Sequence, residues 1–315
     1  MKFSIFFEMQ LSRPTRASEA QVFRDCVEQA VLADTLGYHC VWEVEHHGLF
    51  EYSHSSAPEV FLAFVAARTK RIRLGHGVTL LPYRYNHPIR IAERIATLDI
   101  VSGGRVNWGT GKSSSQVEQQ AFETRPEELP AQWLEAVEMI PRMWSSDVFT
   151  HQGKFFHIFG SDDYLTDKVR EYRAASAKAK PVGRTKNDWF ACTPATLVLK
   201  DDDRALRHGT RGARFFLNAL SRYYFGGDRP IGHLDIPRDD LTEEEMREVR
   251  ETRNSSGSQL ATIVGDPAAA RETVARFKDV GVDELILVMQ MGTVSHELIC
   301  ESLRTFAEEV MPQFA

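Results

Sequence analysis

The sequence has few cysteines, no long apolar run and no excess of positive charge. Its four cysteines are scattered over 315 residues and none forms a C-x-x-C pair, so a disulfide framework and a zinc site are both unexpected. No apolar stretch approaches the roughly 20 residues of a membrane span, and the net charge of −6 argues against a nucleic-acid partner. The first residues lack the long apolar core of a signal peptide. We therefore expect a protein of the reducing cytoplasm, without a bound metal.

Short apolar segments alternate with amphipathic stretches along the chain, as is typical of a parallel sheet covered by helices. The helical stretches carry the expected signals, such as Pro88 in the first turn of one helix and Gly37 just after the end of another. Seven strands are predicted, at Lys2–Phe7, Cys40–Val44, Ile72–Leu81, Val106–Gly109, Phe155–Phe159, Asp188–Thr193 and Glu284–Met289.

The number of strands bears on the architecture, because a closed (β/α)₈ barrel needs about eight. We therefore expect a single α/β domain over residues 1–315, a TIM barrel that is shortened or incompletely closed near Phe155–Phe159. The polar stretch Tyr223–Gln259 is weakly patterned. We interpret it as an excursion or lid of the same domain.

The densest group of titratable residues follows the second predicted strand. Glu45, His46 and His47 lie at its carboxyl end, where barrel enzymes place their active sites. Such groups can act as general acids and bases near neutral pH. The alternative is a surface loop that happens to carry histidines. A metal site is less favoured, since adjacent residues of a strand point to opposite faces.

The segment GTGKSSS, Gly109–Ser115, follows the fourth predicted strand. It is not a Walker A loop, which needs glycine five residues before Gly111, where this chain has Val106. Small residues, a lysine and hydroxyls at a strand-to-helix turn can nevertheless hold a phosphate. The alternative is an ordinary solvated loop.

Four motifs occur in the order of a known family: WEVEHH, then LDIVSGGRVNWGTGK within a longer matching stretch, then WSSDVFTHQGKFF, then GDP with VGVDELIL. In these motifs the sequence resembles the bacterial-luciferase-like flavin monooxygenases, closely over residues 1–156 and moderately over roughly 170–220 and 260–312. The resemblance implies a barrel that binds reduced FMN at its carboxyl-end mouth. It also implies that O2 adds at the flavin C4a position and that the resulting peroxide oxidises an aldehyde, ketone, amine or aromatic substrate.

The same resemblance implies roles for individual residues. His46 is the implied catalytic histidine, flanked by Glu45 and His47. The flavin ring is expected on the third strand, at a non-proline cis peptide between Gly77 and Val78. The resemblance matches Lys112 to the basic residue at the FMN phosphate, where the neighbouring Gly111, Ser113 and Ser114 are also expected to bind. Independently of the resemblance, the aromatic loop residues Phe50 and Tyr52 are expected to close the substrate pocket and exclude water.

The sequence departs from the family between Phe156 and Tyr164, where a fifth strand ending in Ser-Pro-Glu or a Ser-rich equivalent is expected. Its loop supplies hydroxyls to the phosphate, so weak and transient FMN binding is expected here. Two alternatives remain open. One is an oxidoreductase that uses the deazaflavin F420 and transfers hydride without oxygen; the other is a non-catalytic flavin-binding protein or subunit.

Two kinds of protein partner are also implied: a separate flavin reductase that supplies reduced FMN, and a second subunit. A homodimer is expected, and a heterodimer is the alternative. The interface would use the helices Pro58–Thr69 and Pro88–Ile100, with the apolar residues Val60, Phe61, Phe64, Ile91, Ile95 and Leu98.

Overall fold

The computed structural model describes residues 1–144, 155–157, 162–179, 188–226, 234–253 and 262–314. Within them, the strands are β1 (Lys2–Phe7), β2 (Cys40–Glu43), β3 (Arg73–Leu80), β4 (Val106–Gly111), β5 (Phe155–His157), β6 (Phe190–Cys192), β7 (Ala195–Val198), β8 (Thr262–Gly265) and β9 (Glu284–Val288). The helices are α1 (Arg16–Leu36), α2 (Pro58–Arg68), α3 (Pro88–Ser102), α4 (Gln116–Ala121), α5 (Leu129–Trp144), α6 (Asp162–Lys178), α7 (Asp202–Phe225), α8 (Glu243–Arg253), α9 (Pro267–Asp279) and α10 (His296–Glu309).

The strands form one parallel sheet in the order β4-β3-β2-β1-β9-β6-β5, and β7 pairs with both β8 and β9. The strands β6 and β7 pair with the same edge of β9, and β7 continues the register of β6. Ala191 pairs with Glu284, and Ala195 pairs with Val288. They therefore occupy one strand position, interrupted at Pro194. The predicted α/β class with a TIM-barrel-like fold is confirmed.

The predicted count of seven strands was too low, because β7 and β8 were not recognised. Pro194 divides the sixth strand position into two short segments, and only the first was predicted. The strand β8 has four residues and directly follows a polar stretch, so its apolar signal is short.

The sheet is not closed by backbone hydrogen bonds among the described residues. β4 and β5 lie at the two ends of the strand order, and no ladder between described residues joins them. This confirms the expectation of a barrel that is incompletely closed in its middle. The strand predicted to reach Phe159 is described at Phe155–His157, where it pairs with β6, and residues 158–161 lie outside the described residues.

The predicted excursion begins inside a helix, because α7 continues to Phe225. Further along, Met246 of α8 packs with Leu206 and Val264 in a small buried cluster. Residues 227–233 and 254–259 of this stretch lie outside the described residues. The interpretation as a lid stays a prediction.

Near the amino ends of the central strands, side chains inside the barrel are joined by hydrogen bonds. Glu284 of β9 accepts hydrogen bonds from Trp42 Nε1 at 3.1 Å and Trp189 Nε1 at 2.8 Å. The indole of Trp42 lies against Gly75 of β3, where a Cβ atom would come within 2.3 Å of the ring. With the interior filled here, open space is left at the carboxyl ends of the strands.

The helices α2 and α3 contribute to the core more than the sequence suggests. Four of the six apolar residues assigned to a subunit interface are buried within the protomer: Phe61, Ile91, Ile95 and Leu98. They cover the sheet, so they are not available to a partner. Val60 and Phe64 are exposed, and so are three apolar residues of α3 that were not predicted, namely Ile89, Ile100 and Val101.

Within the part of the chain that the structure describes, no helix has both the length and the apolar character needed to cross a membrane.

Candidate active site

A cavity of about 170 Å³ lies at the carboxyl ends of β1, β2, β3, β4 and β9. Side chains from the loops that follow these strands meet there, as is usual for barrel proteins. The cavity brings together most of the predicted site residues: Glu45, His46, Tyr52, Gly77, Val78, Gly111, Lys112, Ser113 and Ser114.

Two predicted residues, His47 and Phe50, are not among those that line the cavity. The His47 ring packs on Phe122, with ring centroids 4.9 Å apart, and its Nε2 lies 3.5 Å from Glu45 Oε1. His46 lines the cavity together with Val44 and Glu45, whereas the His47 ring packs against Phe122 outside it.

His46 is held on both sides of its ring. Its Nδ1 lies 3.0 Å from Glu118 Oε1, and its Nε2 lies 3.2 Å from the hydroxyl of Tyr224. A second carboxylate oxygen, Glu8 Oε2, lies 3.8 Å from Nε2. The side chain is only 12% exposed, so these contacts are shielded from solvent.

The charges around His46 favour its protonated form. Burial alone would lower the pKa of the imidazole, but the carboxylates of Glu118, Glu8 and Glu45 raise it from 6.5 to about 9. A protonated imidazole donates from both nitrogens. Near neutral pH the cavity therefore holds an imidazolium that donates to Glu118 and faces Tyr224.

Glu8 is a second group with an unusual proton affinity. Its Oε1 accepts a hydrogen bond from the Tyr52 hydroxyl at 3.0 Å, whereas Oε2 has no hydrogen-bond partner among the described residues. Burial raises the pKa of Glu8 to about 7, although His46 and Tyr52 oppose the shift. A carboxyl group of this kind can hold or release a proton near neutrality.

Three residues of this arrangement were not predicted: Glu8, Glu118 and Tyr224. Glu8 directly follows β1, so the rule that site residues follow barrel strands could have identified it. Glu118 lies in α4, whose first turn is capped by Ser115, and nothing in its local sequence distinguishes it from a surface glutamate. Tyr224 lies 178 positions from His46, in a stretch interpreted as part of a lid.

The loop after β4 forms the opposite side of the cavity. Lys112 is exposed, while Ser113 is buried, has a φ of +71° and accepts a hydrogen bond from the Tyr85 hydroxyl at 3.0 Å. Gly111 faces Val78, whose Cγ2 atom a Cβ at position 111 would approach to 2.4 Å. The peptide bond before Val78 is cis, at the position that the family resemblance implies.

A parallel α/β sheet with titratable side chains gathered at its carboxyl ends defines a TIM-barrel-like protein. The family model of the luciferase-like monooxygenases matches residues 1–164, just over half of the 315 residues. The chain therefore belongs to the luciferase-like monooxygenase family, as its motifs indicate.

Individual relatives differ in cofactor. The chain is 30% identical over 160 residues to the oxygenase component of a flavin-dependent trigonelline monooxygenase of Acinetobacter baylyi, covering 50% of this chain and 42% of that protein. It is 34% identical over 180 residues to an F420-dependent glucose-6-phosphate dehydrogenase of Amycolatopsis mediterranei, covering 54% of this chain and 53% of that protein. The chain spans about half, or less, of the length of the curated relatives it matches.

Among solved structures, a monooxygenase from Streptomyces bottropensis aligns over 100% of both chains, with a TM-score of 0.80 and 24% identity. At this identity the likeness concerns the fold. It extends over the whole chain, including the half beyond residue 164 that the family model leaves unmatched.

Proposed function

We propose that the protein is a monooxygenase that uses reduced FMN and O2 to oxidise a small organic substrate. The observation that carries this proposal is the shielded imidazole of His46 inside a cavity whose other side is the Lys112 loop. A group that donates a proton and a cationic, hydroxyl-bearing loop that can hold a phosphate are features that suit the binding and use of a reduced flavin.

The chemistry of the cavity walls fits a flavin. The loop residues Lys112, Ser113 and Ser114 offer one positive charge and two hydroxyl groups to a phosphate. Apolar side chains suited to a planar ring line the remaining walls, namely Phe6, Val78, Phe216 and Val288. The enclosed space of about 170 Å³ is below the roughly 300–1,000 Å³ of common ligand pockets. We therefore expect bound FMN to extend from the cavity towards exposed Lys112.

Reduced flavin, when bound, supplies the electrons that activate O2. The protein's part is to orient the ring, to keep water out and to control protons. The imidazolium of His46 can donate a proton, or stabilise negative charge that develops beside it, because its pKa lies near 9. Glu8, with a pKa near 7 and its Oε2 atom 3.8 Å from His46 Nε2, can restore that proton.

The aromatic residues that surround His46 exclude water from the cavity. The ring of Tyr52 lies 5.4 Å from the imidazole between ring centroids, and the ring of Tyr224 lies 6.0 Å from it. Tyr52 also packs on Phe216 at 5.7 Å. These rings limit the substrate to a small or flat molecule that enters beside them, and they support the predicted role of Tyr52 in the substrate pocket.

The pH dependence of turnover should depend on Glu118. Because the carboxylates raise the pKa of His46, the imidazolium is present below about pH 9 and is lost above it. We expect the activity of the natural protein to fall on the alkaline side of about pH 9. Glu118→Gln keeps a hydrogen-bond acceptor but removes the charge that contributes most to raising this pKa. The fall of activity on the alkaline side of the pH profile (the alkaline limb) should therefore occur at lower pH in this variant.

Steady-state pH profiles of the natural protein and the variant test this prediction. Glu123→Gln is a matched control, because Glu123 lies on the surface, where it pairs with Arg84. An alkaline limb that stays in place in Glu118→Gln would mean that His46 is not the group that titrates.

Reduced FMN would come from a separate flavin reductase, as the name of the Acinetobacter relative, an oxygenase component, suggests by analogy. The cytoplasm is the compartment in which such a reductase would meet this protein. Weak and transient FMN binding suits a flavin that is passed between two proteins.

We also propose a homodimer that uses the exposed apolar residues of α2 and α3. Val60 is 67% exposed and Phe64 is 53% exposed, and clusters of this kind on a protein surface often mark an interface. Phe64→Asp should turn a dimer into a monomer at micromolar concentration, as measured by light scattering after size exclusion. Leu217→Asp on α7, also an exposed apolar position, should leave the dimer intact. A natural protein that is monomeric at these concentrations would contradict the proposal.

An F420-dependent oxidoreductase is the second candidate, and the Amycolatopsis relative favours it. It would use the same His46 to exchange a proton with the substrate while hydride moves between cofactor and substrate. F420 would then be oxidised or reduced only with a substrate present that accepts or donates hydride, and without consumption of O2.

A further inference from the structure

A series of hydrogen-bonded polar side chains leads from the cavity to the helices α2 and α3. Glu45, at the cavity wall, accepts hydrogen bonds from Asn86 Nδ2 and from the Leu80 backbone amide, both at 2.8 Å. Arg94 of α3 donates from Nη2 to Asn86 Oδ1 at 2.7 Å. Its Nη1 pairs with Glu59 of α2, also at 2.7 Å. This series of contacts thus connects the carboxyl ends of β2 and β3 to the helices α2 and α3.

Arg94 determines which way the Asn86 amide faces. A guanidinium has only donors, so the Asn86 atom that meets it must be the carbonyl oxygen. The amide NH₂ group is then directed at Glu45, and it also reaches the Leu80 carbonyl oxygen at 3.0 Å. If Arg94 were absent, the Asn86 oxygen would lose its donor, and only the two NH₂ contacts would hold the amide in place.

We propose that Arg94 is a positioning residue that, through Asn86, holds the Glu45 carboxylate in place at the edge of the cavity. Glu45 in turn fixes Leu80 at the end of β3 and lies 3.5 Å from His47 Nε2. The position of this carboxylate matters for the neighbouring His46, whose imidazolium it helps to stabilise.

The surroundings keep Glu45 charged. Burial would raise its pKa, but hydrogen bonds from His47, Leu80 and Asn86 together bring it below the ordinary value. His76 stays neutral because burial lowers its pKa to about 4, although the charge of Glu45 opposes this shift. The Asn86 amide is therefore one of three hydrogen-bond donors that keep Glu45 ionised, beside His47 and Leu80, and neutral His76 adds no charge to them.

Kinetics with reduced FMN distinguish positioning from a structural role. We expect Arg94→Met and Asn86→Asp to lower kcat by about tenfold, because small displacements of catalytic groups have large effects on rate. The KM for reduced FMN should change little. Arg94→Lys should recover part of kcat, since an ammonium can still donate to Asn86 Oδ1. Glu59→Gln is the matched control: it keeps an acceptor for Arg94, and its kcat should resemble that of the natural protein.

The kinetic part of this test rests on the proposed function, so a second readout does not use activity. The Leu80 amide donates to Glu45, and its exchange with solvent deuterium should be faster in Arg94→Met than in Glu59→Gln at equal thermal stability. Unchanged exchange, or equal losses of kcat in Arg94→Met and Glu59→Gln, would overturn the positioning role. If the natural protein does not oxidise reduced FMN but the exchange result holds, only the proposed function fails.

Discussion

Replacing His46 with alanine should reduce oxygenation by about 10²-fold or more, which is the usual contribution of a general acid or base. The expectation follows from its place in the cavity, between Glu118 at 3.0 Å and Tyr224 at 3.2 Å, and from a pKa raised to about 9. Product formation from reduced FMN, O2 and a test substrate is the measurement. The affinity for reduced FMN should change much less than the rate.

His46→Ala leaves the buried carboxylate of Glu118 without its imidazole partner and is therefore expected to destabilise the fold. A second variant separates this loss of stability from loss of catalysis. His46→Asn can still donate a hydrogen bond to Glu118 but cannot carry a proton, so it should remain folded and slow. His296→Ala is the control, because that histidine lies on α10 and does not line the cavity. Turnover of His46→Asn at the natural rate would rule out the catalytic role.

Replacing Lys112 with methionine should weaken the binding of reduced FMN by about tenfold to a hundredfold. A charge-assisted hydrogen bond to phosphate is worth about 1.5–3 kcal/mol, and each 1.4 kcal/mol corresponds to about a tenfold change in Kd. Because Lys112 is exposed, screening by solvent favours the lower end of this range. An anaerobic titration followed by flavin absorbance measures the change.

Two further variants make the Lys112 result specific. Lys112→Arg keeps the charge and should bind nearly as the natural protein does. Arg84→Met removes a nearby exposed cation that pairs with Glu123 and should have little effect. Sub-micromolar binding of reduced FMN by Lys112→Met would show that the phosphate is held elsewhere.

Most of the fold follows from local sequence signals. The helices α1 and α3 end where Gly37 and Gly103 adopt left-handed conformations, and the end of α1 was predicted from Gly37. The strands β7 and β8 were not predicted, because each has only four residues and lacks a long apolar run. The incomplete closure was predicted from the missing segment after Phe156, whose absence is visible in the sequence alone.

The candidate site was predicted in part. The rule for parallel barrels locates Glu45 and His46 just after β2. The cis peptide at Gly77 and Val78 and the role of Lys112 were implied by the family resemblance, and no strand-end signal identifies Tyr52. The partners of His46 could not be found in this way, because Glu118 and Tyr224 are 72 and 178 positions distant and meet it only in the folded chain. The raised pKa of His46 depends chiefly on Glu118 and also on Glu8, which are distant in the sequence, so the local motif with Glu45 does not account for it. The roles assigned to these residues remain predictions.

The most direct test of the central proposal is to mix the anaerobic protein–FMNH2 complex with O2 in a stopped-flow spectrophotometer, with reduced F420 in a parallel experiment. A reduced-FMN monooxygenase should change the course of flavin oxidation relative to free FMNH2, and His46→Asn should abolish that change. With F420, O2 should not be consumed by a protein-dependent reaction. Oxidation of FMNH2 at the rate of free flavin, together with substrate-dependent oxidation of reduced F420, would contradict the proposal and establish the hydride-transferring alternative.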